Sequence, residues 1–347
     1  MAGLSHRDSA IGVPSGGVTP AAHGMAMDDF VAMLRGVHRG ALGLTAIALF
    51  AVACGLPAAR AASGAPMPEG PGFARLGPPE SPVKLFYETK GKGTPILLIH
   101  GFGSSTFTWR RIAPALAKNH KVIAVDLKGF GQSDKPLDEH YSIFDQAELI
   151  KQLILDNDLK NLTLVGHSYG GGISLMLALD DDPRLKGRIA RLILLDTIAY
   201  PQNIPVAFKM MDMPFVSHLG VRMVPPEVQA RVALKLAYYD DSKIGEEDVE
   251  MYAAPLRTPA GKYAVIHSAR QIVPQGLDEI SKRYPTIKQP TLIAWCDNDR
   301  IVPLDIGLEL RRNMPTSRIE IIEKCGHMPQ EEQPEATLKL IQDFLGR

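Results

Sequence analysis

The sequence predicts an α/β fold: a mostly parallel central sheet covered by helices on both faces, with a helical cap insertion. Short apolar runs alternate with helical patterns from residue 83 onward, the rhythm of strands joined by crossover helices. The segment Gly166-His167-Ser168-Tyr169-Gly170 lies between one such run and one such helix. Between about residues 199 and 284 helical patterns follow one another with no strand pattern between them.

The composition is that of a globular protein with no surplus of positive charge. The chain has 347 residues, 45% of them hydrophobic, and its 38 Lys and Arg balance its 38 Asp and Glu. Nucleic-acid binding proteins need a basic surplus to neutralise phosphates, so we expect no nucleic-acid partner. The oligomeric state is left open.

Residues 1–61 are predicted to be an N-terminal extension that ends in a signal peptide. Arg35 and Arg39 precede the apolar run 41–53, and Ala59-Arg60-Ala61 provides a small-residue cleavage site. We therefore expect export to the periplasm or secretion. The signal lies late in the chain, and a translation start at Met33 would give it an ordinary length.

Two alternatives for this segment stay open. Cys54 follows Ala51-Val52-Ala53, which loosely resembles a lipoprotein box, although the leucine three residues before the cysteine is missing. The apolar run could also remain as an uncleaved anchor, but it is short for a bilayer. The protein would contact a membrane only if it is lipidated or anchored in one of these ways.

Residues 62–82 are rich in Pro and Gly and are predicted to be a linker into a folded domain at 83–347. The domain opens on an alternating strand, and continuous apolar runs, typical of buried parallel strands, follow. The predicted strands are Val83–Glu88, Pro95–Ile99, Val122–Asp126, Asn161–Val165, Arg191–Asp196, Pro290–Trp295 and Ile319–Ile322. Helical spacing predicts a helix at Trp109–Lys118, an amphipathic helix at Ile143–Asp156 and a helix at Pro334–Leu345. Two more are predicted, one that begins after Tyr169 and one that ends near Asn313.

The helical insertion at about 199–284 is rich in methionine, a side chain that adapts to apolar ligands of varied shape. One interpretation is an apolar lid over the sheet edge. The other is that these methionines only pack the insertion onto the core.

Ser168 is the central candidate for catalysis. A Gly-x-Ser-x-Gly turn between a strand and a helix lifts the serine hydroxyl above the sheet edge. A serine needs a base to remove its proton and a third group to orient that base. Asp299 and His327 each follow a predicted strand, so both should emerge at the edge where Ser168 emerges. Asp297, two residues from Asp299, and Asp196, at the end of an earlier predicted strand, are rival candidates for the acid.

From residue 84 to the end the chain resembles the α/β hydrolases that carry a helical cap. The resemblance depends on five stretches in the family order: His100-Gly101-Phe102-Gly103, Asp126 to Ser133, Gly166 to Gly170, Asp299-Arg300-Ile301-Val302-Pro303 and Gly326-His327-Met328-Pro329. It implies that Ser168 is the nucleophile, His327 the base and Asp299 the residue that orients it. It also implies an oxyanion hole made by the backbone N–H groups of Phe102 and Tyr169. His100 is expected to be structural, and His167 to serve packing.

The resemblance is less specific for substrate, because this fold supports many chemistries. A serine at the turn favours hydrolysis of a carboxylic ester or similar acyl bond through an acyl-serine, with no cofactor and no metal. The expected partner is a small apolar ester-like molecule, whose acyl and alcohol parts are left open. One alternative is carbon–carbon bond hydrolysis of ring-cleavage products, although those relatives usually carry tryptophan where Met328 stands. Another is a non-catalytic binding protein on a hydrolase fold.

Cys296 and Cys325 follow the last two strands, which the resemblance implies are neighbours. Neighbouring strands lie ~4.8 Å apart, within the Cα separation that a disulfide permits. Export would also favour the bond. The alternative is two buried free thiols that fill apolar space.

Overall fold

The computed structural model describes residues 67–202 and 223–346. These residues form an eight-stranded sheet in the order β1-β2-β4-β3-β5-β6-β7-β8. The strands β3 to β8 are parallel, whereas β2 pairs antiparallel with both β1 and β4. The strand bounds are β1 Gly70–Leu76, β2 Val83–Lys90, β3 Pro95–Ile99, β4 Lys121–Val125, β5 Leu162–His167, β6 Ile189–Leu195, β7 Thr291–Cys296 and β8 Ser317–Ile322.

Helices connect the parallel strands and cover both faces of the sheet. We number the α-helices of the described residues α1 to α10. Their bounds are α1 Ala113–Leu116, α2 Ile143–Asp156, α3 Tyr169–Ala178, α4 Pro226–Ala237, α5 Glu246–Ala253, α6 Pro259–Arg270, α7 Leu277–Ser281, α8 Leu304–Asn313, α9 Pro329–Glu332 and α10 Pro334–Leu345. Short 3₁₀ helices lie at Thr106–Trp109, Asp241–Lys243, Ala254–Arg257 and Tyr284–Thr286.

Alternate residues of the central strands contribute to two separate apolar cores. In β3, Leu97 and Ile99 face the core that α2, α3 and α8 cover, while Ile96 and Leu98 face the core that α1 and α10 cover. This is the two-residue period of a strand buried on both faces. The predicted α/β class with two helical layers is confirmed.

One part of the predicted linker at 62–82 is wrong. Gly70–Leu76 forms the edge strand β1, which pairs along its whole length with β2. Its side chains alternate between partly buried and exposed positions, and Pro71 is tolerated because an edge strand leaves some N–H groups unpaired. The Gly and Pro content therefore concealed a real strand.

The helices α4 to α7 are inserted between β6 and β7. No strand interrupts the described part of this segment, in agreement with the predicted helical pattern. The remaining part, residues 203–222, lies outside the described residues. The predicted signal peptide, lipoprotein box and anchor at 1–61 also lie outside them. Within the described ranges, no helix has the length and apolar content to cross a membrane.

Candidate active site

Ser168 lies at a sharp turn between β5 and α3, with φ 51° and ψ −112°. Positive φ is unusual for a residue with a side chain, and the neighbouring glycines explain how the chain accommodates it. A Cβ on Gly166 would lie 2.4 Å from the carbonyl oxygen of Gly170, and one on Gly170 would lie 2.1 Å from that of Ile99. The Gly-x-Ser-x-Gly sequence is thus required by close backbone contacts on both sides of the serine.

The side chains of His327 and Asp299 form a buried hydrogen-bonded pair. His327 Nδ1 lies 2.6 Å from Asp299 Oδ2. The other oxygen of Asp299 accepts from the backbone N–H groups of Ile301, at 2.7 Å, and Val302, at 2.9 Å. The structure therefore fixes one carboxylate oxygen on its own loop and directs the other at the imidazole.

The two rival candidates for the acid, Asp297 and Asp196, make other hydrogen bonds. Asp297 Oδ1 accepts from Asn298 Nδ2 at 2.6 Å and from the backbone N–H of Cys325 at 3.3 Å. Asp196 is fully buried at the end of β6, and its Oδ1 accepts from the backbone N–H of Cys296 at 2.9 Å. Only Asp299 of the three is hydrogen-bonded to His327.

Asp196 nevertheless belongs to the same cluster. One ligand-type atom from each of Asp196, Asp299 and His327 lies within 4.8 Å of the other two, the only such group of three among the described residues. Burial, and then the charge of Asp299, raise the pKa of Asp196 well above its usual range. The second oxygen of Asp196, Oδ2, is buried with no hydrogen-bond partner, which costs a neutral carboxyl less than a charged one.

His167 contacts the loop that carries His327. Its Nε2 lies 2.7 Å from the backbone carbonyl oxygen of His327, which can only accept, so Nε2 carries the proton. Burial, followed by the proximity of His327, lowers the pKa of His167 well below its usual value, so the ring is neutral. Sequence analysis assigned His167 to packing, and this hydrogen bond adds a contact that links residues 160 positions apart.

Phe102 and Tyr169 flank the serine. Tyr169 directly follows Ser168 as the first residue of α3. Phe102 lies on the loop after β3, where a Cβ on the preceding Gly101 would lie 3.2 Å from Ser168 Cβ. His100 holds this loop: its Nδ1 bonds the carbonyl oxygen of Gly101 at 2.7 Å and its Nε2 accepts from Leu127 N–H at 2.9 Å. The loop therefore packs directly against the serine, as the expected oxyanion hole requires.

Two apolar cavities meet at Ser168 and His327. The smaller has a volume of about 220 Å³ and the larger about 400 Å³, and Phe102 and Ile301 border both. The smaller cavity is lined mainly by Met176, Ile198, Tyr200, Val273, Leu277 and Tyr284. The larger cavity is lined mainly by Val228, Val232, Leu234, Leu236, Leu256 and Val265. Among the described residues that line them, no Asp, Glu, Lys or Arg occurs.

A third cavity of about 830 Å³ lies beside the loop that follows β3. It is lined by residues such as Ser105, Phe107, Arg110 and Lys135 and touches neither Ser168 nor His327. Despite its size, it is therefore not where the chemistry of the triad would occur.

A disulfide joins Cys296 and Cys325, whose Cα atoms are 4.8 Å apart. Cys296 ends β7 and Cys325 lies two residues before His327, and both are fully buried. The bond, which the sequence left open, ties the start of the Asp299 loop to the start of the His327 loop.

Comparisons with known proteins agree with this architecture. Residues 96–340 match the Alpha/beta hydrolase family. An uncharacterized hydrolase of Bacillus subtilis, YugF, is 31% identical over 264 residues, which cover 75% of this chain and 92% of that protein.

Two further relatives have named activities. The 2-hydroxy-6-oxo-2,4-heptadienoate hydrolase of Pseudomonas putida is 28% identical over 74% of this chain and 90% of its own. The solved meta-cleavage product hydrolase of Pseudomonas fluorescens superposes with a TM-score of 0.64 at 25% identity, covering 76% of this chain and 94% of its own. The family match covers well over half of the sequence and includes every residue of the site described above. This chain belongs to the α/β hydrolase family.

Proposed function

We propose that this protein is a serine hydrolase that cleaves a neutral carboxylic ester through an acyl-serine intermediate. The observation that carries the proposal is the position of Ser168 and His327 at the junction of two uncharged apolar cavities. An ester has two arms on either side of its reacting carbonyl carbon. The two cavities offer separate space for an acyl arm and an alcohol arm, and the triad supplies the chemistry between them.

In the proposed mechanism His327 Nε2 takes the proton of Ser168 Oγ as that oxygen attacks the carbonyl carbon. Asp299 holds the opposite ring nitrogen, which fixes the tautomer and stabilises the imidazolium. The backbone N–H groups of Phe102 and Tyr169 would bind the oxyanion. When the intermediate collapses, the alcohol leaves with the proton from His327. A water molecule, activated by the same histidine, then releases the carboxylic acid and restores Ser168.

Carbon–carbon bond hydrolysis is the second candidate, and the names of two relatives favour it. A dienoate carries a carboxylate, and a buried carboxylate needs a cation or several hydrogen bonds to offset its desolvation. The described walls of both cavities contain no Lys or Arg. Residues 203–222, outside the described part, contain Lys209 and Arg222. These two cations of the insertion are therefore the ones whose part in binding an anion we test.

The deciding experiment compares neutral aryl esters of increasing acyl length with a 2-hydroxy-6-oxo-dienoate. We expect turnover of the esters, loss of that turnover by several decades in Ser168→Ala, and no change in Lys209→Ala or Arg222→Ala. Lys186→Ala, at an exposed position that lines neither cavity, is the matched control for loss of a positive charge. Higher kcat/KM for the dienoate than for any ester, with a loss of activity in Lys209→Ala or Arg222→Ala, would replace our proposal with the second candidate.

We further propose that the protein is exported through the signal peptide in residues 1–61, and that the insertion serves as a cap over the two cavities. The disulfide supports the first proposal, since such bonds persist in oxidising compartments. The contribution of α4 to the wall of the larger cavity supports the second. Determining the N-terminal residue of the native protein would test export directly.

A further inference from the structure

The C-terminal end of the insertion helix α4 touches both catalytic loops. The backbone N–H of His327 donates to the carbonyl oxygen of Ala237, the last residue of α4, at 2.5 Å. On the other loop, Arg300, which follows Asp299, donates from Nη2 to the carbonyl oxygens of Lys235, at 2.9 Å, and Tyr238. The last carbonyls of a helix have no partner inside the helix, so these donors satisfy groups that would otherwise be unpaired.

Glu332 completes this junction. It is 2% exposed, and its carboxylate accepts from three backbone N–H groups: Gly326 at 2.6 Å, Asp240 at 2.7 Å and Tyr239 at 2.9 Å. The first of these belongs to the His327 loop and the other two to the segment that follows α4. A single buried carboxylate therefore joins the insertion to the residue that precedes the base.

The two segments are in direct backbone contact at this point. A Cβ on Gly326 would lie 2.2 Å from the carbonyl oxygen of Ala237 and 2.7 Å from the backbone nitrogen of Tyr239. Only glycine permits this approach. The position of His327 is thus set by the end of α4 as well as by the sheet.

The side chains of α4 form one wall of the larger apolar cavity, including Val228, Val232 and Leu234. The helix that a substrate in this cavity would contact is therefore the helix whose end holds both catalytic loops. A displacement of α4 would be transmitted through main-chain contacts, without an intervening flexible side chain at His327.

We propose that Glu332 and Arg300 are positioning residues that hold the end of α4 against the His327 and Asp299 loops, so that the insertion sets the geometry of the triad. This inference rests on the proposed serine hydrolase function. It assigns a role in the rate of the chemical steps to residues that contact neither substrate nor the serine.

Glu331 provides a matched contrast, because it is adjacent, fully buried and also bound to the insertion. Its carboxylate accepts from the side chains of Thr108 at 2.7 Å, Arg110 at 2.5 Å and Tyr252 at 2.5 Å, and at 3.4 Å from the hydroxyl of Tyr238, the residue that follows α4. None of these partners lies on the Asp299 or His327 loop. Loss of Glu331 should therefore loosen the insertion without releasing the base.

The test compares Glu332→Gln, Arg300→Ala and Glu331→Gln by ester kinetics, by thermal unfolding and by the rate at which a fluorophosphonate probe labels Ser168. We expect Glu332→Gln to lower kcat and the labelling rate by roughly ten- to a hundredfold with little change in KM, as misplacement of a catalytic group by about 1 Å can do. Arg300→Ala should lower both at least fivefold. Glu331→Gln should change KM or the unfolding temperature and leave kcat within threefold.

Equal effects of Glu332→Gln and Glu331→Gln on kcat would overturn the inference, because both would then act only through stability. Arg300 is exposed, so its replacement leaves no buried cavity, and it decides the question if Glu332→Gln does not fold. A kcat and labelling rate within twofold of wild type in Arg300→Ala would then refute the role. Wild-type protein that neither reacts with the probe nor hydrolyses esters would refute the proposed function instead.

Discussion

Breaking the bond between Cys296 and Cys325 should destabilise the protein substantially. The bond closes a loop with a sequence separation of 29 residues, which contains Asp299, α8 and β8. Loop-closure entropy for a cross-link of this length corresponds to about 3.6 kcal/mol at 25 °C. Since domains are stable by roughly 5–15 kcal/mol, this is a large fraction of the free energy of unfolding.

The assay is equilibrium urea unfolding of the wild-type protein with and without a thiol reductant. Use of one sequence in both arms avoids the cavities that substitution of two fully buried cysteines would create. Cys54 lies outside the closed loop, so in protein that keeps residues 1–61 a Cys54→Ser variant is the control and should show the same dependence on reductant. Alkylation of the denatured, unreduced protein and a mass measurement would establish the bond beforehand.

The reasoning would be refuted in two ways. Equal free energies of unfolding with and without reductant, in protein shown to be oxidised, would mean that the denatured chain gains no freedom when the bond opens. Alkylation of both Cys296 and Cys325 in unreduced protein would mean that the native protein lacks the bond.

Three further predictions concern the buried titratable groups. Asp196→Asn should raise the free energy of unfolding at pH 8 and change it little at pH 4. The reason is that burial raises the pKa of Asp196 in the folded protein, whereas in the unfolded chain the carboxyl ionises above about pH 3.9. Urea unfolding at both pH values checks this. Because buried His167 stays neutral in the folded protein while the unfolded histidine takes up a proton, the free energy of unfolding should decrease as the pH is lowered through about 6.5. In a thermal-unfolding series from pH 8 to 5, the unfolding temperature of His167→Gln should decrease less than that of the wild type. Asp299→Asn should reduce ester kcat by several decades, whereas Asp297→Asn should leave it within threefold, since only Asp299 contacts His327; the opposite order in steady-state kinetics would reassign the acid.

Much of the fold could be predicted because the central strands are buried on both faces. A continuous apolar run such as Leu162–His167 can be recognised as a strand without knowing which strands pair with it. The glycine turn after it marks where the strand ends. The edge strand β1 lacks this signal, because it is partly exposed, contains Gly and Pro, and depends on pairing with β2. Sequence patterns report local burial, whereas an edge strand is specified by its neighbour.

The candidate site shows the same division. Ser168, His327 and Asp299 could be selected because each follows a strand at the same sheet edge. The raised pKa of the buried Asp196, the hydrogen bond from His167 to the His327 loop and the junction around Glu332 could not be predicted. Each depends on contacts between residues about 90 or more positions apart. Burial and hydrogen bonding determine the properties of these groups, and both depend on residues that are distant in the sequence.

The backbone conformation of Ser168 bears on whether this chain is an enzyme or a binding protein. A non-glycine residue at positive φ costs the folded state on the order of 1 kcal/mol, a cost that glycine would remove. A glycine at this position would stabilise the folded state but would leave no side chain to react. The serine adopts a conformation that the fold disfavours, at a wall shared by both cavities and beside His327, and a hydroxyl group is what the position provides in exchange.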